Sequence, residues 1–151
     1  MSIATVISNL VTFLDGLSWT IGSKTTDFAE VFDYPNFNYG ENPFCVVMDE
    51  MGMAETATNM DTQITTTINV YICANYGTAD GQTDDDKMSD CYLRIRTAYD
   101  KLKQELIKNT TRNTIGVDYI FDGSYSDDVN SDFNIIRRRI TLKVKELVSR
   151  L

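Results

Sequence analysis

The chain contains no histidine in 151 residues. Its absence removes the commonest general base and the commonest zinc ligand, and with them any Ser-His-Asp or Cys-His nucleophile system. Cysteine is sparse. Cys45, Cys73 and Cys91 are odd in number, no pair has metal-ligand spacing, and each lies in an apolar stretch. A thiol in such a setting behaves as a small hydrophobe, and a reducing, cytosolic folding environment is expected. Long apolar runs are missing as well. The longest are five residues, such as Phe44–Met48 and Val70–Ala74, against the roughly 20 that span a bilayer. The first basic residue is Lys24, so the apolar N-terminal stretch lacks the early positive region of a secretory signal. No lipidation motif is found, and a soluble protein with no membrane association is expected.

Positive charge is scarce in one part of the chain. Residues 1–93 hold Lys24 and Lys87 against fourteen acids, a balance of −12, while residues 94–151 hold twelve basic and eight acidic side chains, a balance of +4. The whole chain carries 14 − 22 = −8. An acidic surface repels phosphate, so wrapping of nucleic acid is not expected. The asymmetry either serves solubility locally or lets the acidic face of one copy meet the basic face of the next. With 42% apolar and 24% charged residues, residues 1–151 read as one domain with a single core.

The order of elements follows from periodicity. Ile3, Val6, Ile7, Leu10, Phe13, Leu14 and Leu17 recur at helical spacing, with Ser2 placed to cap the start and Gly16 near the end. A short strand is expected over about 26–33, stopped by Pro35, with a turn-rich connection to Asn42-Pro43. Phe44–Met48 reads as a buried strand and residues 49–61 as a loop or an extended arm. Ile64, Thr66, Ile68, Val70, Ile72 and Ala74 alternate with polar residues in a long strand. Met88, Cys91, Tyr92, Ile95, Ala98, Tyr99, Leu102 and Leu106 mark a second helix. Thr83 is its candidate N-cap and Asn109 its candidate C-terminal stop. Its start is crowded by Asp84, Asp85 and Asp86, and Lys101, Lys103 and Lys108 gather toward its end, as the helix dipole favours. A strand over Ile115–Phe121, a polar loop over Asp122–Asp132 and a strand over about Phe133–Leu147 complete the chain. In that last strand Ile136, Ile140, Leu142 and Val144 face one side. Arg137, Arg139, Thr141, Lys143 and Lys145 face the other. Arg138 falls on the apolar side, where it must snorkel or pair with an acid. The expected class is α+β, a mostly antiparallel sheet with two helices packed on one face.

Sites of chemistry are weakly indicated. Asp80, Asp84, Asp85, Asp86 and Asp90 are dense enough for Mg²⁺ or Ca²⁺, but EF-hand spacing is absent; carboxylates at a helix start are the simpler reading. Asp122, Asp127, Asp128 and Asp132 form a second acidic segment without metal-loop spacing. Gly77–Gly81 precedes a helix but lacks the lysine a phosphate needs. The side chains of Arg137-Arg138-Arg139 alternate along a strand and form no continuous nucleic-acid patch. Its outward arginines should instead meet acids on a neighbouring strand or subunit. No catalytic residue, metal or cofactor is expected. The two acidic or Met-bearing connections, Asp49–Asp61 and Asp122–Asp132, are long for hairpins. Candidate subunit or partner contacts are Met51, Met53, Met60, Asp127, Asp128, Arg137 and Arg139.

Element order and length together resemble the tail terminator proteins of tailed bacteriophages, also described as tail-completion or head-to-tail joining proteins. The matching features are the amphipathic Ile3–Leu17 helix, the Asn42-Pro43 step into a buried strand and the Thr-rich Thr62–Tyr76 strand. They continue with the acid-started Asp84–Asn109 helix and a closing strand, acidic loop and Arg-rich strand ending near Val144. The resemblance spans nearly the whole chain and rests on no single residue signature. It implies a non-enzymatic ring, usually a homo-hexamer, that caps the tail tube and offers the head connector a docking surface. The partners would be the tail tube protein and a head-completion or connector protein, with DNA passing through the lumen without specific binding. The location would be the virion's tail-head interface, after assembly in the host cytoplasm. Another head-tail connector or neck protein is the alternative, and a metal-dependent α+β enzyme a more distant one.

Overall fold

The computed structural model describes residues 2–56, 60–77 and 84–149. It is an α+β fold in which most strand pairs are antiparallel and the helices lie on one face of the main sheet. Helix α1 (Ile3–Asp15) opens with Ser2, whose hydroxyl accepts from the Thr5 amide at 3.2 Å, and buries Val6, Leu10 and Leu14. The hairpin β1 (Ser18–Ile21) and β2 (Lys24–Asp27) follows, turning at Gly22, which has φ 61°. Next come β3 (Val31–Phe32), β4 (Phe44–Thr56), β5 (Asp61–Asn75), α2 (Asp84–Leu106), α3 (Asn109–Ile115), β6 (Tyr119–Ile120), β7 (Tyr125–Asn130) and β8 (Ile135–Ser149). The main sheet has the order β3-β4-β5-β8-β6, with β7 also on β8. The short β3 runs parallel to β4.

Five expectations need correction. The strand expected over 26–33 is two pieces, the end of β2 and the two-residue β3. Residues 49–56 are the second half of β4, interrupted by a bulge between Asp49 and Met51. The helix started by the aspartates stops at Leu106, and Asn109, expected to end it, begins α3. Ile115 closes α3, Gly116 turns the chain at φ 89°, and only Tyr119–Ile120 remains extended in the expected Ile115–Phe121 strand. The polar loop over Asp122–Asp132 contains β7. The Thr83 cap and most of Gly77–Gly81 fall outside the described residues.

Two cores flank the sheet. On the helix side, Cys45, Val47, Ile68, Val70, Ile72, Ala74, Ile136, Ile140, Leu142 and Val144 meet the buried faces of α1, α2 and α3. Strand alternation places these residues on one side of the pleat. The opposite face is covered at one end by a smaller core. There Phe44, Val46, Tyr71, Cys73 and Ile135 pack against Phe32, Phe37 and Tyr39. Ring contacts tie it together, with Phe32–Tyr39 centroids at 5.2 Å and Phe37–Tyr71 at 5.4 Å. The connection before Pro43 is thus a cover and not only a turn.

Asn42 fastens that cover to the sheet. Its side-chain nitrogen donates to the Asn75 carbonyl and its oxygen accepts from the Asn75 amide, both at 2.7 Å. This reproduces the two-way exchange of a neighbouring strand. Asn75 in turn donates to the Tyr39 carbonyl at 3.2 Å. Asn42→Ala should lower stability by about 1–3 kcal/mol, because it leaves buried backbone groups of Asn75 unmade. Urea unfolding followed by tryptophan fluorescence measures the change, with far-UV circular dichroism of the folded state unaltered.

Candidate functional site

The residues expected at a contact surface divide into two places. Asp127, Asp128 and Arg137 lie where β7 pairs with the start of β8. Met51, Met53 and Met60 lie at the far end of the β4–β5 hairpin.

The β7 group is engaged within the chain. Arg137 donates to both Asp128 carboxylate oxygens at 2.8 and 2.7 Å, and its guanidinium sits 4.7 Å over the Phe37 ring and 5.2 Å over Tyr71. The Asp128 hydrogen bonds hold the Arg137 guanidinium above its ordinary pKa. One residue on, Arg138 points through the opposite face. It is 5% exposed, donates to both Asp127 oxygens at 2.9 and 3.0 Å, and lies 3.9 Å over Tyr125 and 5.1 Å over Tyr99. The Tyr99 hydroxyl donates to the Gly123 carbonyl. Two bidentate pairs on opposite faces therefore clamp β7 to β8, although the residues of β7 itself are almost all exposed. Arg137 meets its acid on the neighbouring strand, and Arg138 was absent from the candidate set. Its place on the apolar parity was the signal for it.

Beyond this clamp β8 carries a row of cations on the side away from the helices. Arg139, Lys143 and Lys145 are exposed, and among the described residues no carboxylate forms an ion pair with them. The row leads onto an arm formed by residues 49–56 of β4, 61–67 of β5 and 145–149 of β8. None of these residues belongs to either core. At about 3.4 Å per residue, the seven β5 positions extend about 20 Å. Register aligns Met53, Thr65 and Lys145 on one level, and Glu55, Gln63 and Leu147 on the next. The bulge decides which side chains these are. It inserts Glu50 as an extra residue, so Met51, Met53 and Glu55 take the open face in place of Gly52 and Ala54. The Glu50 carboxylate accepts from the Tyr71 hydroxyl; burial first, then this bond, push Tyr71 up to about 12. Met51, Met53 and Leu147 are 58%, 59% and 67% exposed.

Both sides of the arm end in unpaired strand edges. β3 covers the outer edge of β4 only at Cys45 and Val46. On β8, β7 covers Ile135–Ile140 and β6 covers Lys143 and Val144. Among the described residues no strand pairs with the outer edge of β4 at 47–56, nor with that of β8 at 145–148.

Elsewhere, a cavity of about 530 Å³ is an open cleft between α1, α2 and α3. Most of its polar side chains already have partners. Asn9 donates to the Ile115 carbonyl at 2.9 Å, Thr12 and Thr114 bond within their helices, and Lys101 pairs with Glu105 at 3.1 Å. Among the acids, Asp122 accepts from the amide and hydroxyl of Ser124, and the Ser124 hydroxyl is the main cause of its lowered pKa. Among the described residues no three acids or thiols converge as metal ligands, and no helix is long and apolar enough to cross a membrane. The sequence matches no protein-family model and no curated protein.

Two outcomes are expected. Arg138→Ala should cost about 1.5–3 kcal/mol for its charge-assisted hydrogen bonds to Asp127 plus its packing on Tyr99 and Tyr125, whereas Arg137→Ala, at a more exposed pair, should cost about 0–1 kcal/mol plus its ring contacts. Denaturant titration gives the order. The thiols should be inert: all three are buried, and burial pushes Cys91 up to about 11 and holds Cys45 and Cys73 well above the ordinary thiol range. At pH 8 they remain protonated, so a thiol reagent should label the chain only after guanidinium is added.

Proposed function

We propose that this chain is a structural subunit of a tailed-phage virion. It acts as a tail terminator that assembles into a ring, caps the tail tube and joins it to the head connector. The observation that carries the reading is the arm. A long three-stranded extension stands clear of both cores, with methionine, leucine and valine exposed on it and its strand edges unpaired. A monomer gains nothing from such a surface, which invites aggregation; a subunit of an assembly uses it. The reading draws further support from the order of elements described above. It also agrees with a cleft in which Asn9, Thr12 and Thr114 bond to backbone carbonyls and Lys101 to Glu105, with no nucleophile held by a base among the described residues.

The acidic balance suits the same role. DNA that must slide through a lumen is best met by carboxylates that repel phosphate, not by cations that hold it. Function then lies in surfaces and not in a catalytic constellation.

The experiment is to delete the gene from the phage genome that carries it and examine lysates by electron microscopy. Filled heads without tails, together with tails of irregular and excessive length, are the expected outcome, reversed by supplying the protein in trans. Tails of normal length without attached heads would favour a connector or neck role. Intact, infectious virions would overturn the structural reading.

A further inference from the structure

Resting on that reading, we propose which surfaces join one copy to the next: the outer edge of β8 at 145–148 adds laterally to the outer edge of β4 in a second copy, continuing the sheet across the boundary. Three observations select this pairing. First, both edges are unpaired at the same level of the arm, since Met53 and Lys145 flank Thr65 and Glu55 and Leu147 flank Gln63. Unmade strand hydrogen bonds on both sides favour a partner that supplies a strand.

Second, the open face of the two edges carries opposite charge. There the unpaired β8 edge presents Lys145, with Arg139 and Lys143 at the levels that β7 and β6 cover, and the β4 side presents Glu50 and Glu55; on the reverse lie Glu146 of β8 and Asp49 of β4. Two β8 edges would bring like cations together, and two β4 edges like anions. Only β8 against β4 sets opposite charges side by side. The neighbouring apolar groups of the open face, Met51 and Met53 on one edge and Leu147 on the other, cover each other in the same arrangement.

Third, strand direction fits a rotational array. β4 and β8 are each antiparallel to β5, so they run the same way. A rotation about an axis that runs along the strands preserves their direction and makes the new pair parallel. Such a contact is heterologous, and it closes into a ring when the rotation divides a full turn.

Cysteine cross-linking tests this directly, because the three native thiols are buried. Met53→Cys, Leu147→Cys and the double variant are treated with a short bis-maleimide, and light scattering of the untreated proteins gives their mass. The double variant should give a ladder of covalent multimers, while each single variant stays at monomer mass on a denaturing gel. Lys145→Glu should abolish the ladder in that background, and adding Glu55→Lys should restore it. Single variants that dimerise as well as the double would overturn the head-to-tail pairing. An oligomer seen by scattering without any ladder would also overturn it, and would leave the ring reading standing on another surface. A chain that stays monomeric at its highest soluble concentration would overturn the interface and the self-assembling ring together.

Discussion

The pairing of β5 with β8 is the constraint on which the rest depends. The two strands match over 15 residue pairs, from Asp61 with Ser149 to Asn75 with Ile135. That length exceeds what the chain can cover. The two cores enclose the sheet where β5 runs from Ile68 to Asn75 and β8 from Ile135 to Val144. Past those points the hairpin continues beyond both cores. The arm is a direct result of strands longer than their core, and among the described residues none of its side chains joins either core.

The same pairing explains the two arginine clamps. Alternation along β8 sends Arg137 and Arg138 to opposite faces, so one carboxylate on each face suffices to hold β7. Each guanidinium also lies on aromatic rings, which shields the pair and strengthens it. Charge that could have reached a neighbour is thereby used to complete the fold. The cations left over lie on the arm side of the clamp: Arg139 and Lys143 at levels that β7 and β6 pair, and Lys145 on the unpaired edge. Folding and the proposed assembly thus draw on consecutive stretches of one strand.

What the sequence revealed depended on where burial was one-sided. The stripes of α1 and α2 and the alternation of β5 and β8 were legible, because each buries a regular face against the same core. The second half of β4 was not, because the bulge at Glu50 breaks its alternation and no core lies beyond it. β7 was hidden for a related reason: it is fixed by Asp127 and Asp128 and not by apolar residues. The helix α3 has little apolar content beyond Ile115, and it forms by docking Thr111 and Ile115. At the candidate surface, Met51 and Met53 could be read as exposed outliers. The engagement of Arg137 within the chain could not, since it required the position of β7.

Hydrogen–deuterium exchange of the assembled protein tests the central claim, that the arm edges are the joints between copies. Exchange in the oligomer is compared with that in a monomeric form obtained by dilution or by high salt, which screens charge to about 3 Å at 1 M. New protection confined to amides of Met51–Glu55 and Lys145–Val148 is the predicted result. Protection that appears instead over the α1–α2 cleft or the exposed edge of β7, with the arm amides still exchanging freely, would contradict it.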